Sequence, residues 1–250
     1  HVPWRVALIQ APVSDDVAKA ANDRRLTFAV RQQAGVELLC ATAITSTAGL
    51  REHITRCRAN LGAGGWVCKA PWTAAGRDRV WGHDLDDAAL HRADILLRSC
   101  GALVFEPWLP RLLDYGVLAT VDASAVTQRP PHTLLCNAHG GFTGIEMRTP
   151  PMTVAERDRI IATVDTAGQA LRALGYLGPF TIDGFFYQDQ HGRALAPLCE
   201  INARLSFGWV ALAWTTRLGG AALHTGATAP RNARVLLHPT PRDPFAVWVE

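Results

Sequence analysis

Three residues near the ends of two predicted strands have side chains suited to binding a divalent cation. Asp183 lies within the apolar run TIDGFF, and Glu200 and Asn202 alternate within LCEINAR. Alternate residues of a strand point to the same face of a sheet, so Glu200 and Asn202 share a face. A buried, unpaired carboxylate is costly, so each acid needs a cation or several donors. Two carboxylates and an amide oxygen are hard ligands of the kind that Mg²⁺ prefers.

The residues around these three predict a β-hairpin. Residues 180–187 are rich in aromatic and β-branched side chains, 189–192 have turn chemistry, and 194–201 are apolar again. Arg204 follows directly and offers a planar donor fork suited to phosphate. The alternative is a hairpin whose acids pair with arginines, and the spacing alone leaves both interpretations open.

A lysine near a loop of small residues is a second candidate for chemistry. Lys69 ends the β-prone run 66–69, and 79–81 is the predicted partner strand. A buried ammonium at this point needs an anionic partner, and phosphate is a natural one. The alternative is a surface hairpin with a snorkelling lysine. The loop between the strands can approach an anion through its backbone N–H groups. It consists of Thr73, Ala74, Ala75 and Gly76.

A buried strand ending in an acid precedes a stiff connector. The strand is 102–106, and Glu106 is its last residue. The connector consists of Pro107, Trp108, Leu109 and Pro110. Two prolines disfavour a sheet interior here and favour an extended hinge whose backbone groups could recognise a purine edge. Asp114 opens the next predicted strand, 114–122.

Composition narrows the functional classes. The 250 residues are 48% hydrophobic and 19% charged with a net charge of +3, which suits one large domain or two interdependent ones. The arginines are scattered without a basic stripe, so we expect no nucleic-acid partner. No apolar run reaches roughly 18 residues and the sequence shows no signal-peptide pattern, so we expect no membrane span. Six cysteines without a CxxC pair favour buried thiols in a reducing cytoplasm over disulfides.

Hydrophobic periodicity and capping residues predict the remaining elements. Thr153 and Glu156 have capping-box spacing at the start of the longest helix, and Gly175 ends it. Ser46 or Thr47 can cap an earlier helix. The predicted helices are 15–34, 48–60, 84–98, 153–175 and 210–218. Other predictions are a new element beginning in 36–41, strands at 132–137 and 233–238, a loop at 124–131, and turns at Gly140, Gly141 and Gly144.

Four motifs in order resemble the ATP-grasp superfamily of carboxylate–amine and carboxylate–thiol ligases. They are WVCKAPWTAAGR, LVFEPWL, TIDGF and LCEINAR, and the resemblance covers roughly residues 22–220. The resemblance implies an α+β fold in which two subdomains with antiparallel sheets enclose a nucleotide cleft. The expected division is a short lead-in at 1–21, an N-terminal subdomain at 22–105, and a C-terminal subdomain with the Mg²⁺ site at 106–250. Such ligases usually have a preceding α/β domain, so the start at His1 suggests a truncated or short member.

The resemblance also implies a role for each motif residue. Lys69 would contact the ATP phosphates under the 73–76 loop, and Lys69 and Arg204 would be catalytic. Arg24 stands where many members have a lysine. The adenine hinge would comprise Glu106, Pro107, Trp108 and Leu109, with Asp114 nearby. The Mg²⁺ ligands would be Asp183, Glu200 and Asn202.

The implied chemistry is activation of a carboxylate by the γ-phosphate of ATP, followed by attack of an amine on the acylphosphate. The expected cofactors are ATP and Mg²⁺, with Mn²⁺ as a substitute. The expected partners are a small-molecule carboxylate and an amine acceptor, and a homodimer is a candidate assembly. Two other functions stay open, a nucleotide-binding module without ligase activity and a small-molecule kinase. His132, His139 and His191 are turn or strand-end residues for which we predict no direct role.

Overall fold

The computed structural model describes residues 13–61, 64–72, 78–137, 141–226, 234–237 and 246–249. The helices of this part are α1 Asp15–Ala21, α2 Arg24–Gln33, α3 Thr47–Cys57, α4 Asp87–Cys100, α5 Val154–Ala173 and α6 Phe207–Leu218, with a 3₁₀ helix at Arg58–Asn60. The strands are β1 Thr42–Ile44, β2 Trp66–Lys69, β3 Arg79–Gly82, β4 Leu103–Pro107, β5 Arg111–Val121, β6 Val126–Gln128, β7 His132–Cys136, β8 Phe142–Glu146, β9 Gly178–Asp189, β10 Gly192–Asn202, β11 Ala222–Gly226, β12 Arg234–Leu237 and β13 Ala246–Val249.

The first sheet joins the lysine strand to the strand that ends near the hinge. Its strand order, among the described residues, is β1-β4-β2-β3, and each neighbouring pair is antiparallel. Apolar side chains of one face form a core with helices α3 and α4, and Trp66 and Phe105 stack within it at 6.0 Å. Lys69 and Val67 pair with Val104 and Glu106 in register. Alternation therefore places Lys69 and Glu106 on the same face.

The second sheet contains the predicted hairpin. Its strands in the described ranges run β10-β9-β5-β7-β8-β11-β13-β12, with β6 on the side of β5. Alternate residues of β5, among them Tyr115 and Val117, pack on helix α5 through Ile160 and Val164. Asp114, which alternates with these residues, therefore belongs to the opposite face.

The predicted single helix at 15–34 is wrong, because the structure contains two helices there. Asp23 is the N-cap of α2, and its carboxylate accepts a hydrogen bond from the Arg25 amide at 2.8 Å. A capping aspartate satisfies an otherwise unpaired amide, so a new helix begins at that residue. The element predicted at 36–41 is also wrong in its bounds, since strand β1 begins only at Thr42.

Several short strands were not predicted. The loop expected at 124–131 contains β6, which pairs with the end of β5. The region of predicted turns around Gly144 contains β8, and β11 and β13 follow later in the chain. These strands have three to five residues each. Runs this short give too few alternations to separate a strand from a loop.

The long helix and its ends agree with the prediction. Thr153 and Glu156 form both hydrogen bonds of the capping box, and Gly175 follows the helix with φ +83°. Ser46 caps α3, and its hydroxyl accepts from the Gly49 amide at 3.0 Å. None of the helices in the described part of the chain is long and apolar enough to cross a membrane. The six cysteines are free thiols, of which only Cys57 and Cys68 are buried, so the expected burial holds for these two alone.

Candidate active site

The hairpin brings its two carboxylates together. Glu200 of β10 stands directly opposite Asp183 of β9, and Asn202 stands opposite Thr181. The Asn202 side-chain amide donates to Asp183 Oδ2 at 3.0 Å. The three oxygen-bearing side chains that the sequence predicts as metal ligands therefore lie on neighbouring strands and face the same way.

A β-bulge in β10 sets this register. Ala196 pairs with Phe185 and Glu200 pairs with Asp183, so three residues of β10 face one of β9 between these pairs. A bulge reorients the side chains that follow it, and here the next side chain is Glu200. The residue opposite the bulge is Gly184, where a Cβ would lie 2.9 Å from the Ala196 carbonyl oxygen.

Asp183 forms no ion pair with any of the described residues. Burial and the nearby charges of Glu200 and Asp114 together raise its pKa to about 7, although Arg204 and the hydrogen bond from Asn202 act in the opposite direction. A bound cation would remove this penalty, so the site suits a metal that accepts hard oxygen ligands.

The side chains at the site form only part of a coordination shell. In the described ranges, no group of three His, Cys, Asp or Glu side chains converges closely enough to hold a metal ion. Two carboxylates and an amide fit Mg²⁺ nonetheless, because Mg²⁺ usually completes its shell with water and substrate phosphates.

Glu200 differs from Asp183 in having an arginine partner. Arg24 Nη2 lies 3.0 Å from Glu200 Oε1, and Arg24 Nη1 donates to the Ala70 carbonyl oxygen at 2.7 Å. The alternative in which the acids pair with arginines therefore describes Glu200 but not Asp183. Arg24 also links the residue after β2 of the first sheet to β10 of the second.

Arg204 lies beside the predicted ligands. Its guanidinium donates to Asn202 Oδ1 and to Asn22 Oδ1, both at 2.6 Å. Asn22 is the residue between α1 and the cap of α2, and its Nδ2 donates to the Ala203 carbonyl oxygen at 3.2 Å. These bonds hold the start of α2 against the end of β10.

The lysine strand contributes a buried ion pair. Lys69 Nζ lies 2.5 Å from Glu106 Oε2, and the buried Arg31 guanidinium donates to Glu106 Oε1. Burial alone would raise the pKa of Glu106, but the charges of Arg31 and Lys69 hold it well below its ordinary value. The Lys69 side chain is 18% exposed and the Arg31 side chain is 0% exposed, so of these two cations only Lys69 reaches the surface of this cluster.

The predicted hinge begins one residue later than expected. Pro107 belongs to strand β4 and pairs with Trp66, so the extended connector starts at Trp108. Proline has no amide N–H to donate, and here it is the last residue of its strand. Trp108 donates its amide to the Gly65 carbonyl oxygen at 2.9 Å. Its own carbonyl comes so close to Gly64 that any Cβ there would overlap it.

Asp114 and the predicted phosphate loop are the remaining site predictions. Asp114 is 13% exposed and pairs with Arg111, which lies 4.0 Å over the Phe185 ring. The predicted phosphate loop 73–76 lies outside the described residues.

His132 is a buried residue of this sheet for which the sequence predicts no role. It is 1% exposed, and neither ring nitrogen has a hydrogen-bond partner in the described part of the chain. Burial lowers its pKa to about 4. A Cβ at Gly116 would lie 2.7 Å from His132 Nε2 and 3.5 Å from Asp183 Oδ1, so His132 is close to the candidate metal site.

Comparison with known proteins finds solved structures that are similar to this chain. No protein-family model matches the chain, and no curated protein sequence matches it. Among solved structures, N5-carboxyaminoimidazole ribonucleotide synthetase from Thermus thermophilus is similar at TM-score 0.61 and 17% identity, over 93% of this chain and 68% of that chain. Phosphoribosylamine–glycine ligase from Thermotoga maritima is similar at TM-score 0.58 and 14% identity, over 94% of this chain and 70% of that chain.

An ADP complex of N5-carboxyaminoimidazole ribonucleotide synthetase is similar at TM-score 0.55 and 16% identity, and the match covers 74% of this chain. All three proteins belong to the ATP-grasp superfamily. The chain has the ATP-grasp fold. The predicted α+β architecture with antiparallel sheets is therefore confirmed. The chain spans 45% of the length of the ADP-bound synthetase.

Proposed function

We propose that this chain is a Mg²⁺-dependent ligase that uses ATP to activate a carboxylate for attack by an amine. One observation supports the proposal most directly: the Lys69–Glu106 pair and the Asp183–Glu200–Asn202 group lie on two sheets joined by Arg24. Similar enzymes with this fold include a phosphoribosylamine–glycine ligase and a D-alanyl-alanine synthetase, whose names describe ligation chemistry.

Each group of residues has a role in this proposal. Lys69 and Arg204 bind the phosphates and neutralise charge as the γ-phosphoryl group moves, which is the main protein contribution in phosphoryl transfer. The backbone at Trp108 and Leu109 binds the adenine, with the 73–76 loop over the phosphates and Asp114 nearby. Mg²⁺, held by Asp183, Glu200 and Asn202, would supply Lewis-acid charge neutralisation.

The reaction has two balanced steps. A carboxylate oxygen of the substrate attacks the γ-phosphorus of ATP, and the bond to the β-phosphate oxygen breaks, which gives an acylphosphate and ADP. The amine nitrogen then attacks the acyl carbon, the C–O bond to phosphate breaks, and the amine loses a proton to give an amide and inorganic phosphate. The free cysteine thiols support a reducing, cytoplasmic location for this chemistry.

Turnover assays with product identification test the proposal. The protein is incubated with Mg·ATP and pools of carboxylic and amino acids, and ADP and inorganic phosphate are measured separately. We expect both products in equal amounts, and hydroxamate when hydroxylamine replaces the amine. ADP without phosphate would indicate a kinase. Tight ATP binding without turnover in any pool would indicate a non-catalytic nucleotide-binding module. Glu200→Gln serves as the inactive control.

A further inference from the structure

One face of helix α2 contacts strand β10. Arg24, Thr27 and Arg31 are spaced by three and four residues, which places them on one side of the helix. Arg24 pairs with Glu200, and Thr27 Oγ1 accepts a hydrogen bond from the Ile201 amide at 3.2 Å. The third member of this face, Arg31, reaches the residues just before Glu200.

Arg31 connects the two sheets through one guanidinium group. Its Nε donates to the Leu198 carbonyl oxygen at 2.7 Å and its Nη2 to the Cys199 carbonyl oxygen at 2.8 Å, both on β10. Its Nη1 donates to Glu106 on β4. The side chain is 0% exposed, so it cannot itself touch a nucleotide in the cleft. The planar donor fork of arginine allows all three contacts at fixed angles.

The carbonyls that Arg31 binds belong to the bulge before Glu200. The bulge contains Pro197, Leu198 and Cys199, and the Tyr115 hydroxyl donates to the Pro197 carbonyl oxygen at 3.1 Å. Side chains from outside the hairpin therefore satisfy all three bulge carbonyls. Two of the three are satisfied by Arg31.

We propose that Arg31 is a positioning residue that sets the lysine of the first sheet and the carboxylate of the second sheet relative to each other. Through Glu106 it orients the Lys69 ammonium, and through the bulge it fixes the strand immediately before Glu200. The inference rests on the proposed nucleotide function, since it assigns Lys69 to phosphate and Glu200 to metal.

Two variants separate the effect of Arg31, which contacts both Glu106 and the bulge, from the effect of a residue that contacts the bulge only. In Arg31→Lys, one ammonium nitrogen replaces three separate donor nitrogens, so it cannot reach the carboxylate and both carbonyls from a single point. We expect ADP binding without metal to weaken about tenfold, and the enhancement by Mg²⁺ to fall by a similar factor, as for other residues that orient ligands. Tyr115→Phe removes only the donor to Pro197. It should reduce the Mg²⁺ enhancement and leave metal-free ADP affinity unchanged.

The measurement is calorimetric titration with ADP in the presence and absence of Mg²⁺. Arg98→Lys is the matched control, because the Arg98 side chain is 80% exposed, and it should behave as the wild type. Suppose that the wild type binds ADP and that Arg31→Lys folds. If the variant then has an unchanged metal-free ADP affinity and an unchanged enhancement by Mg²⁺, the inference is wrong while the proposed function stands. A wild type that binds no ADP overturns the proposed function and this inference with it.

If Arg31→Lys does not fold, the inference can still be tested with the wild-type protein. The Nε–H group of Arg31 is buried and hydrogen-bonded, so its NMR signal should be protected from solvent exchange. We expect the signal to shift on addition of ADP alone, through Glu106, and again on addition of Mg²⁺, through the bulge. A signal that moves at neither step contradicts the positioning role.

Discussion

Asp183 is held in a protein environment that favours its neutral form, and this makes it informative about the function of the site. Burial and two nearby carboxylates raise its pKa, while its only described hydrogen bond comes from the neutral amide of Asn202. Glu200, one strand away, is compensated by Arg24. Among the described residues, Asp183 therefore has no ion-pair partner, and it lies at the place where the proposal puts a cation. Strain of this kind is common at functional sites.

Asp183→Asn should stabilise the metal-free protein and weaken metal-dependent nucleotide binding. The pKa of about 7 lies above the ordinary value of 3.8, so the ionised form is disfavoured in the folded state. This penalty is complete above pH 7, decreases as the pH falls from 7 toward 3.8, the ordinary value of the pKa, and is absent below 3.8. At pH 8 we expect a gain of about 2 kcal/mol in the free energy of unfolding, after allowance for partial exposure.

Urea denaturation at pH 8 and calorimetry with Mg·ADP measure the two effects of Asp183→Asn. Asp158→Asn, at a side chain that is 62% exposed, should change neither quantity. Lower stability of Asp183→Asn, or unchanged Mg·ADP affinity, would contradict the view of Asp183 as a strained metal ligand.

His132 should make the protein sensitive to acid. Its pKa of about 4 in the folded state is below the ordinary 6.5, so as the pH falls His132 is protonated in the unfolded chain before it is protonated in the folded protein. The stability contributed by neutral His132 is complete above pH 6.5 and is lost as the pH falls toward 4, to an extent of about 3 kcal/mol. Asp183 contributes a slope of opposite sign in this range, so only a comparison of variants isolates His132.

His132→Leu provides that comparison. Between pH 7 and pH 4, the free energy of unfolding of the wild type should fall by about 3 kcal/mol more than that of His132→Leu. His191→Asn changes an exposed histidine and should follow the wild type at every pH. A difference that stays constant with pH would mean that His132 is not buried in its neutral form.

At the scale of elements, local patterns predicted the parts of the hairpin but not its register. Aromatic and β-branched runs with a polar turn indicated β9 and β10, and alternation placed Glu200 and Asn202 on one face. The bulge carbonyls accept hydrogen bonds from Tyr115 and Arg31, which lie far away in sequence, so no local pattern contains these contacts. The helical spacing of Arg24, Thr27 and Arg31 was visible in the sequence, but their partners were not.

The bulge also explains a glycine. A Cβ at Gly184 would lie 2.5 Å from Tyr115 Cζ and 2.9 Å from the Ala196 carbonyl oxygen. Gly184→Ala should therefore displace Tyr115 from Pro197, lower the free energy of unfolding by about 1–3 kcal/mol, and weaken Mg·ADP binding. Gly49→Ala is the control, because its Cβ would meet only Ser46 Oγ at 3.2 Å.

Thermal denaturation and Mg·ADP titration of both glycine variants test this role. We expect Gly49→Ala to keep wild-type nucleotide binding, since helix α3 has no contact with the hairpin in this proposal. A Gly184→Ala protein with wild-type stability would show that Tyr115 can move without cost, and the bulge would then not depend on it.

At the scale of the whole molecule, the order of four motifs was more informative than any one of them. Each motif alone had an ordinary structural explanation, and Glu200 indeed pairs with an arginine. The fold could be predicted because the motifs lie on strands whose order along the chain is specific. The connection between the sheets was not predictable, because it depends on buried side chains of α2 whose partners are on other elements.

The two sheets should contribute separately to nucleotide binding, and the two lysines of the chain allow a controlled test. Lys69→Ala should weaken ADP binding on the order of tenfold both with and without Mg²⁺, because a charged donor to phosphate is lost. Glu200→Gln should leave metal-free ADP binding unchanged and remove most of the Mg²⁺ enhancement. Lys19→Ala removes an exposed ammonium that lies 4.7 Å over the Trp72 ring and should bind ADP as the wild type does. If Glu200→Gln kept the full Mg²⁺ enhancement, the metal would have to bind elsewhere, and the hairpin would be a structural element of the fold alone.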